Sequence, residues 1–244
     1  MTPTTVDQGL RAILSRDPAQ PLITYLGPGG ERTELSARTF ENNVAKAANL
    51  LRDDADVRPG SRVALLLPVH WQTAVWLGAC AATGCVAWLD GDPADPLSDV
   101  SVTGLDRLDA PRAPLALATS LHPFGMPFAA PLPAGLLDAA VEVRAHGDSF
   151  TPYAEVPGDS PWIVAGDRAW TQTDALDDAV AVAASVGLAV GGRLLCDVTT
   201  ARGDAVLAML AAPLALGGSV VLLADPASDV DAVAARERCT AVLR

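Results

Sequence analysis

A strand, a helix and a second strand follow one another in the first half of the chain, and they constrain its fold more than any other feature. Val63 to Leu67 is a continuous apolar run ended by Pro68, which is typical of a strand buried on both faces. A helix is predicted over Trp71 to Thr83 with Gly84 just after its end, and Cys85 to Leu89 follows as a strand. Because parallel strands need such a crossover, the sequence predicts an α/β fold with mostly parallel sheet and flanking helices.

The rest of the chain alternates between helical and extended patterns. We interpret it as a single domain over residues 1–244, with sub-lobes over 20–150 and 151–244. The predicted strands are Leu22–Leu26, Arg32–Leu35, Val100–Val102, Leu115–Thr119, Trp162–Val164, Arg168–Thr171, Leu194–Val198, Ser219–Leu223 and Thr240–Leu243. The predicted helices are Val6–Leu14, one that Ser36 caps, Leu136–Ala145, one that Thr173 caps and that runs to Val186, Asp204–Leu216 and Val230–Arg238.

The charge of the chain argues against a polyanionic partner. The 244 residues carry a formal net charge of −12, and the basic residues are scattered singly instead of forming a stripe. Nucleic acid is therefore not an expected partner. Hydrophobic residues make up 50% of the chain and charged residues 19%, which is the composition of a globular protein.

A long uncharged stretch, Ala205 to Ala224, has the length of a membrane span. Pro213 and the pair Gly217-Gly218 interrupt it, so a buried helix, a glycine turn and a strand are predicted instead. The N-terminal residues have neither the basic nor the apolar region of a signal peptide. We therefore expect a cytoplasmic protein without a membrane span.

Clusters that carry chemistry are weak in this sequence. The four cysteines include no C-x-x-C pair and lie in apolar stretches, which is typical of buried thiols. The acidic run with Asp90, Asp92 and Asp95 lacks the spacing of a calcium loop and is interpreted as a solvated turn. The histidines are isolated, and no G-x-S-x-G motif is present. No metal site and no catalytic residue are predicted.

Three segments together resemble the N-terminal region of the adenylate-forming enzymes, the superfamily of acyl-CoA synthetases, peptide-synthetase adenylation domains and luciferases. They are Arg32 to Leu51, Val57 to Pro68 with the later Gly84 to Ala87, and Pro213 to Leu223. The chain is most similar to short actinobacterial proteins that look like truncated members of this group. The alternative is an unrelated doubly wound domain that uses the same pattern.

The resemblance also shows what differs from the family. The family holds ATP phosphates with a Ser/Thr/Gly-rich loop that ends in Pro-Lys-Gly, whereas here the strand Ser160–Val164 leads directly into Ala165–Trp170. Asp167 would add a like charge near the phosphates. The family continues beyond the point matching Arg244 into its adenine-binding, metal-holding and catalytic-lysine segments. The resemblance thus implies no classical adenylation by this chain alone, and no cofactor is expected.

The candidate binding site is Thr199-Thr200-Ala201-Arg202-Gly203. This run follows a buried strand and precedes a helix, so it lies at the carboxyl edge of a parallel sheet, where ligands bind in such folds. Within the resemblance it corresponds roughly to the entrance of the acyl pocket. Thr199, Thr200, Arg202 and Gly203 are the candidate ligand-binding residues, with Arg202 facing an anion. The alternative is a helix cap with a solvent-facing Arg202.

We therefore interpret the chain as a truncated, non-catalytic adenylate-forming-like domain that binds a small acyl or nucleotide-like ligand or a protein partner. One alternative is half of a split enzyme that another polypeptide completes, and another is a structural subunit. Thr240 to Leu243 is predicted to be an apolar edge strand. The surface around Val233 to Leu243 is therefore expected to be shared, either in a homodimer or with a protein partner.

Overall fold

The computed structural model describes residues 2–89, 98–109, 113–201 and 203–244. The strands are β1 (Pro21–Gly27), β2 (Glu31–Ser36), β3 (Arg62–Leu66), β4 (Val86–Leu89), β5 (Ser98–Thr103), β6 (Leu115–Ala118), β7 (Leu137–Asp138), β8 (Pro161–Ala165), β9 (Arg168–Thr171), β10 (Arg193–Asp197), β11 (Ser219–Leu223) and β12 (Ala241–Leu243). The helices are α1 (Val6–Arg16), α2 (Ala37–Asp53), α3 (Trp71–Thr83), α4 (Ala139–Arg144), α5 (Gln172–Ser185), α6 (Asp204–Met209), α7 (Ala211–Leu216) and α8 (Val230–Arg236).

Helix ends follow local capping chemistry. The Oγ1 of Thr5 accepts the N–H of Gln8 at 3.1 Å and begins α1, and the Oγ of Ser36 accepts the N–H of Thr39 at 3.1 Å at the start of α2. Gly84 has a φ of 75° directly after α3, a conformation that glycine adopts without strain. The two N-caps set where α1 and α2 begin, and Gly84 sets where α3 ends.

The described chain forms two compact units. One unit contains the residues up to Glu41, Val69–Ala74 and Thr173–Arg244, and its sheet has the order β12-β10-β11-β1-β2. All neighbouring strands in this sheet are parallel except β1 and β2, which form an antiparallel hairpin. Its core includes a cluster of buried residues from β1, β10, β11 and α8: Leu26, Leu195, Val221, Leu223, Val233 and Ala234.

The other unit contains Asn42–Pro68 and Val75–Gln172, and its sheet has the order β7-β6-β5-β3-β4-β8-β9. Here too the strands are parallel apart from one antiparallel pair, β8 with β9. The indole N–H of the buried Trp162 donates to the carbonyl of Leu77 at 2.9 Å, which joins β8 to α3. The predicted fold class, α/β with mostly parallel sheets and flanking helices, is confirmed.

Three predicted helices differ in detail. The predicted helix Asp204–Leu216 is broken at Leu210, because Pro213 has no N–H to donate to the carbonyl of Met209 and its ring would clash with that carbonyl. Thr173 does not cap α5, since the helix begins one residue earlier at Gln172. The predicted helix Leu136–Ala145 is shorter because Leu137–Asp138 pairs with β6, and Asp138 then caps α4.

The acidic run Asp90–Asp95, interpreted from sequence as a solvated turn, lies outside the described residues. Ala205 to Ala224 folds into α6, α7 and β11, as a helix, turn and strand interpretation requires. In the described parts of the chain, no helix combines the length and the apolar character that crossing a membrane requires.

Candidate functional site

The predicted site begins at the carboxyl end of β10, where one buried carboxylate organises the following turn. Oδ1 of Asp197 accepts the backbone N–H of Thr199 at 3.0 Å and its hydroxyl at 2.6 Å. Oδ2 accepts the hydroxyl of Thr200 at 2.9 Å. The turn is closed by the backbone N–H groups of Thr200 and Ala201, which both donate to the carbonyl of Asp197. The turn is therefore built around Asp197.

The same contacts determine the charge of the turn. Burial alone would raise the pKa of Asp197, but hydrogen bonds from Thr199 and Thr200 and the charge of Arg244 together hold that pKa below its ordinary value. The carboxylate is ionised at neutral pH, and both of its oxygens are occupied. It is therefore a poor general base.

The predicted residues have different places in this turn. Thr199 and Thr200 are brought together and are exposed, but their hydroxyl protons point to Asp197, so the hydroxyl oxygens are free only as acceptors. Gly203 is exposed and precedes α6, with open space around it. Arg202 lies outside the described residues. Binding by these residues stays a prediction.

Asp197 is the residue of this turn that the sequence analysis did not identify. Asp197 stands two residues before Thr199 and three before Thr200, and this spacing favours a turn in which the Asp side chain bonds the backbone. The apolar run of β10 predicts a strand that continues to Val198, whereas β10 ends at Asp197. The spacing of Asp197 from the two threonines is the signal that identifies it as the residue around which the turn forms.

The second feature is the connection between β8 and β9 in the unit of the seven-stranded sheet. Ala165 pairs directly with Arg168, so only Gly166 and Asp167 lie between the paired residues. Gly166 has a φ of 60°, which a tight turn of this kind often requires. The resemblance places a phosphate-binding loop here, and the structure shows a two-residue turn.

Ionic side chains also collect at the start of β10, where they are paired with one another. Nη2 of Arg193 donates to the hydroxyl of Thr24 at 2.9 Å and lies 3.4 Å from Oε2 of Glu237. Arg32 bonds both Glu34 and Glu237. This network connects strands with the end of α8, so we assign it a structural role. Within the described ranges, no three His, Cys, Asp or Glu side chains come together as metal ligands do.

A relative of known sequence identifies the family of this chain, whereas no family model matches it. It is 43% identical over 235 residues to a TIGR03089 family protein of Mycobacterium tuberculosis, and the match covers 92% of each protein. The chain belongs to the TIGR03089 family.

Solved structures show the fold of this TIGR03089 family member. It matches a fatty acyl-CoA synthetase of Mycobacterium tuberculosis with a TM-score of 0.68 at 16% identity, over 97% of this chain and 48% of that one. An acetoacetyl-CoA synthetase from Streptomyces lividans gives 0.75 at 24% identity, over 96% and 41%. An acyl-CoA synthetase of Brucella canis gives 0.73 at 16%, over 96% and 46%. The chain thus has an acyl-CoA-synthetase-like fold and spans less than half the length of these synthetases.

Proposed function

We propose that this chain is an acyl-CoA-synthetase-like domain that binds a small acyl or nucleotide-like ligand, or a protein partner, and does not carry out adenylation by itself. The two-residue turn between β8 and β9 is the observation that carries the proposal. Such a turn offers few backbone N–H groups to an anion, whereas phosphate-binding loops use several.

The charges of Asp167 and Asp197 also argue against adenylation by this chain alone. Adenylation depends on positioning and on stabilising the charge that develops at phosphorus. Asp167 in the two-residue turn would place a negative charge near the phosphates, and neither residue of the turn is a Lys. In the five-stranded unit, the ionised Asp197 is already saturated with donors and offers no base. These features favour recognition of a ligand over chemistry on it.

The proposed ligand site is the turn from Thr199 to Gly203. The turn follows the carboxyl end of a parallel strand, where α/β folds bind ligands, and Asp197 holds its first residues, Thr199 and Thr200, before any ligand arrives. The exposed hydroxyl oxygens of the two threonines accept hydrogen bonds from ligand N–H or O–H groups. We also propose a cytoplasmic location, since all four cysteines are free thiols.

Thermal shift with acyl-adenylate analogues, together with ATP–pyrophosphate exchange, tests this proposal. We expect the analogues to raise the melting temperature while exchange stays at background. A Thr199→Val, Thr200→Val double variant should lose the shift, and Ser185→Ala, which removes an exposed hydroxyl in the same unit, should keep it. Exchange by the isolated chain would refute the non-catalytic part, and no shift with any analogue would refute the ligand site.

A second candidate function is half of an enzyme that another polypeptide completes. One observation favours it: β12 pairs with β10 and forms an edge of its sheet, to which a strand of another chain can be added. Exchange activity that appears only when a candidate partner is added would support this alternative. Exchange that stays at background with each partner recovered by crosslinking would contradict it.

A further inference from the structure

A cavity of about 170 Å³ lies within the unit of the seven-stranded sheet, and it shares no residue with the Thr199–Gly203 turn. It lies between the segment after the C-terminal end of α2 and the segment that precedes β8. Its walls are mostly apolar: Val57, Pro59, Phe150, Pro152, Tyr153 and Ala154. Apolar walls with a few polar groups are typical of small-molecule sites.

The wall contributed by residues 147–154 is held in place by α2. The Nδ2 of Asn49 donates to the carbonyls of Gly147 at 2.9 Å and Ser149 at 3.0 Å. Nη1 of Arg52 donates to the carbonyl of Thr151, also at 2.9 Å. A segment without a helix or strand of its own is thus tied to a helix at three carbonyls. The cavity is formed before a ligand binds.

Arg52 also fixes the aromatic side chains of this wall. Its guanidinium lies 5.1 Å from the ring centre of Phe150 and 5.4 Å from that of Tyr153. Such cation–π contacts orient the rings. Tyr153 is nevertheless 77% exposed, which is unusual for a ring held in place. A ligand stacked on this ring would cover it.

Two guanidinium groups line the cavity, those of Arg52 and Arg58. Nε and Nη2 of Arg52 donate to Asp53 at 2.7 and 3.0 Å, whereas Nη2 of Arg58 lies 2.7 Å from Asp56 in a pair of exposed side chains. The lining hydroxyl of Thr83 already donates to the carbonyl of Ala79 at 2.8 Å. A guanidinium has five N–H groups, so the contact with Asp56 leaves donors on Arg58 for a carboxylate of a ligand. A ligand with one carboxylate matches this one group.

We propose that this cavity binds a small aromatic carboxylate. An apolar cavity of about 150 Å³ takes up benzene, so a single ring matches the volume found here. The ring would pack against Phe150 and Tyr153, and the carboxylate would pair with the exposed guanidinium of Arg58 at the rim. The site goes beyond the proposed function, because it uses neither the turn after β10 nor the connection between β8 and β9.

Calorimetry on the full chain with benzoate, its neutral isostere benzamide, and acetate tests the proposal. We expect benzoate to bind with a Kd of about 1 mM or tighter, benzamide to bind about tenfold more weakly, and acetate not to bind. Tyr153→Ser and Arg58→Gln should each weaken benzoate binding by about fivefold or more. Both side chains are exposed, so these variants should melt like the parent.

Two matched variants serve as controls. Phe124 is 76% exposed and lies in the same unit, so Phe124→Ser repeats the loss of an exposed ring away from the cavity lining. Arg168 is exposed and lies in the same unit, so Arg168→Gln repeats the loss of an exposed guanidinium away from the cavity lining. Both should bind benzoate like the parent. The proposal is overturned if benzoate does not bind, if benzamide binds equally well, or if the control variants weaken binding as much as Tyr153→Ser.

Discussion

The hydroxyl of Thr199 donates to Oδ1 of Asp197 at 2.6 Å, and this contact links the last residue of β10 to the turn that follows it. Replacing Asp197 with Asn removes the charge and one acceptor from a buried group with several donors. We therefore expect Asp197→Asn to lower the free energy of unfolding by about 1–3 kcal/mol, measured by urea denaturation. If the free energy of unfolding fell by only a few tenths of a kcal/mol, the turn would not depend on the carboxylate.

The turn after β11 gives a matched control for this variant. There, Asp225 accepts the N–H of Ala227 at 3.1 Å and the hydroxyl of Ser228 at 2.9 Å, but it is less buried than Asp197. Asp225→Asn should therefore lower the free energy of unfolding by less than Asp197→Asn does.

The carboxylate of Asp197 also makes stability depend on pH. Because the folded pKa of Asp197 is lowered, the stability that it contributes is present above the unfolded pKa and is lost as the pH falls through the folded pKa.

A second prediction concerns His70, which is buried beside Tyr25 with ring centres 4.3 Å apart. Burial lowers the pKa of His70 to about 4, whereas in the unfolded chain it is near 6.5. The unfolded state therefore binds the proton first. We expect stability to fall by up to about 3 kcal/mol as the pH drops from 6.5 towards 4.

Denaturation curves at several pH values measure this effect. Nδ1 of His70 accepts the N–H of Gln72 at 3.2 Å at the start of α3, and Asn at this position retains a capping acceptor without a titrating group. His70→Asn should flatten the pH dependence between 6.5 and 4. An unaltered slope in His70→Asn would rule out His70 as the cause.

The strand cores provide a third prediction. Leu65 on β3 and Val221 on β11 are both buried in their sheets. Leu65→Ala and Val221→Ala should each destabilise the chain by about 2–4 kcal/mol, because each leaves a cavity between packed layers. Val190→Ala, at an exposed position, should change stability by less than about 0.5 kcal/mol. Losses below about 1 kcal/mol in both strand variants would contradict this packing.

A fourth prediction concerns nucleotide. Since only Gly166 and Asp167 connect the paired ends of β8 and β9, we expect the isolated chain to bind MgATP no tighter than about 1 mM. Calorimetry checks this directly. Asp167→Asn removes the negative charge from the turn and serves as the matched variant, and any gain in affinity should be small because the turn still lacks donors. A low micromolar Kd for the parent chain would show that phosphates are held elsewhere.

Local chemistry explains which parts of the fold were predictable. Trp71–Thr83 and Ser219–Leu223 have the predicted bounds because a glycine stands directly after the helix and directly before the strand. The break at Leu210 was missed because the apolar pattern continues through it. The pairing of Asn49 with Gly147 joins residues 98 positions apart, and no local pattern reports such a contact. The cavity lined by Phe150 and Tyr153 depends on this contact and was therefore not predictable from the sequence.

The last prediction concerns the edge of the five-stranded sheet. Val233 and Leu243 are buried in their own unit, so the side chains expected to be shared are already packed. The backbone of β12 is what remains for a partner, because it lies at the sheet edge with β10 on one side. The N–H of Thr240 donates to the carbonyl of Arg193 at 2.8 Å. Since N–H groups alternate in direction along a strand, that of Ala241 points away from β10.

Ala241→Pro therefore removes an outward N–H group without removing a hydrogen bond to β10. We expect the parent chain to associate, either with a second copy in sedimentation or with a protein partner captured by crosslinking at β12, and Ala241→Pro to abolish that association. Val242→Pro is the contrasting variant: its N–H points towards β10, so it should destabilise the sheet itself. A parent chain that stays monomeric at high concentration, and crosslinks to no protein at this strand, would mean that the edge is not shared.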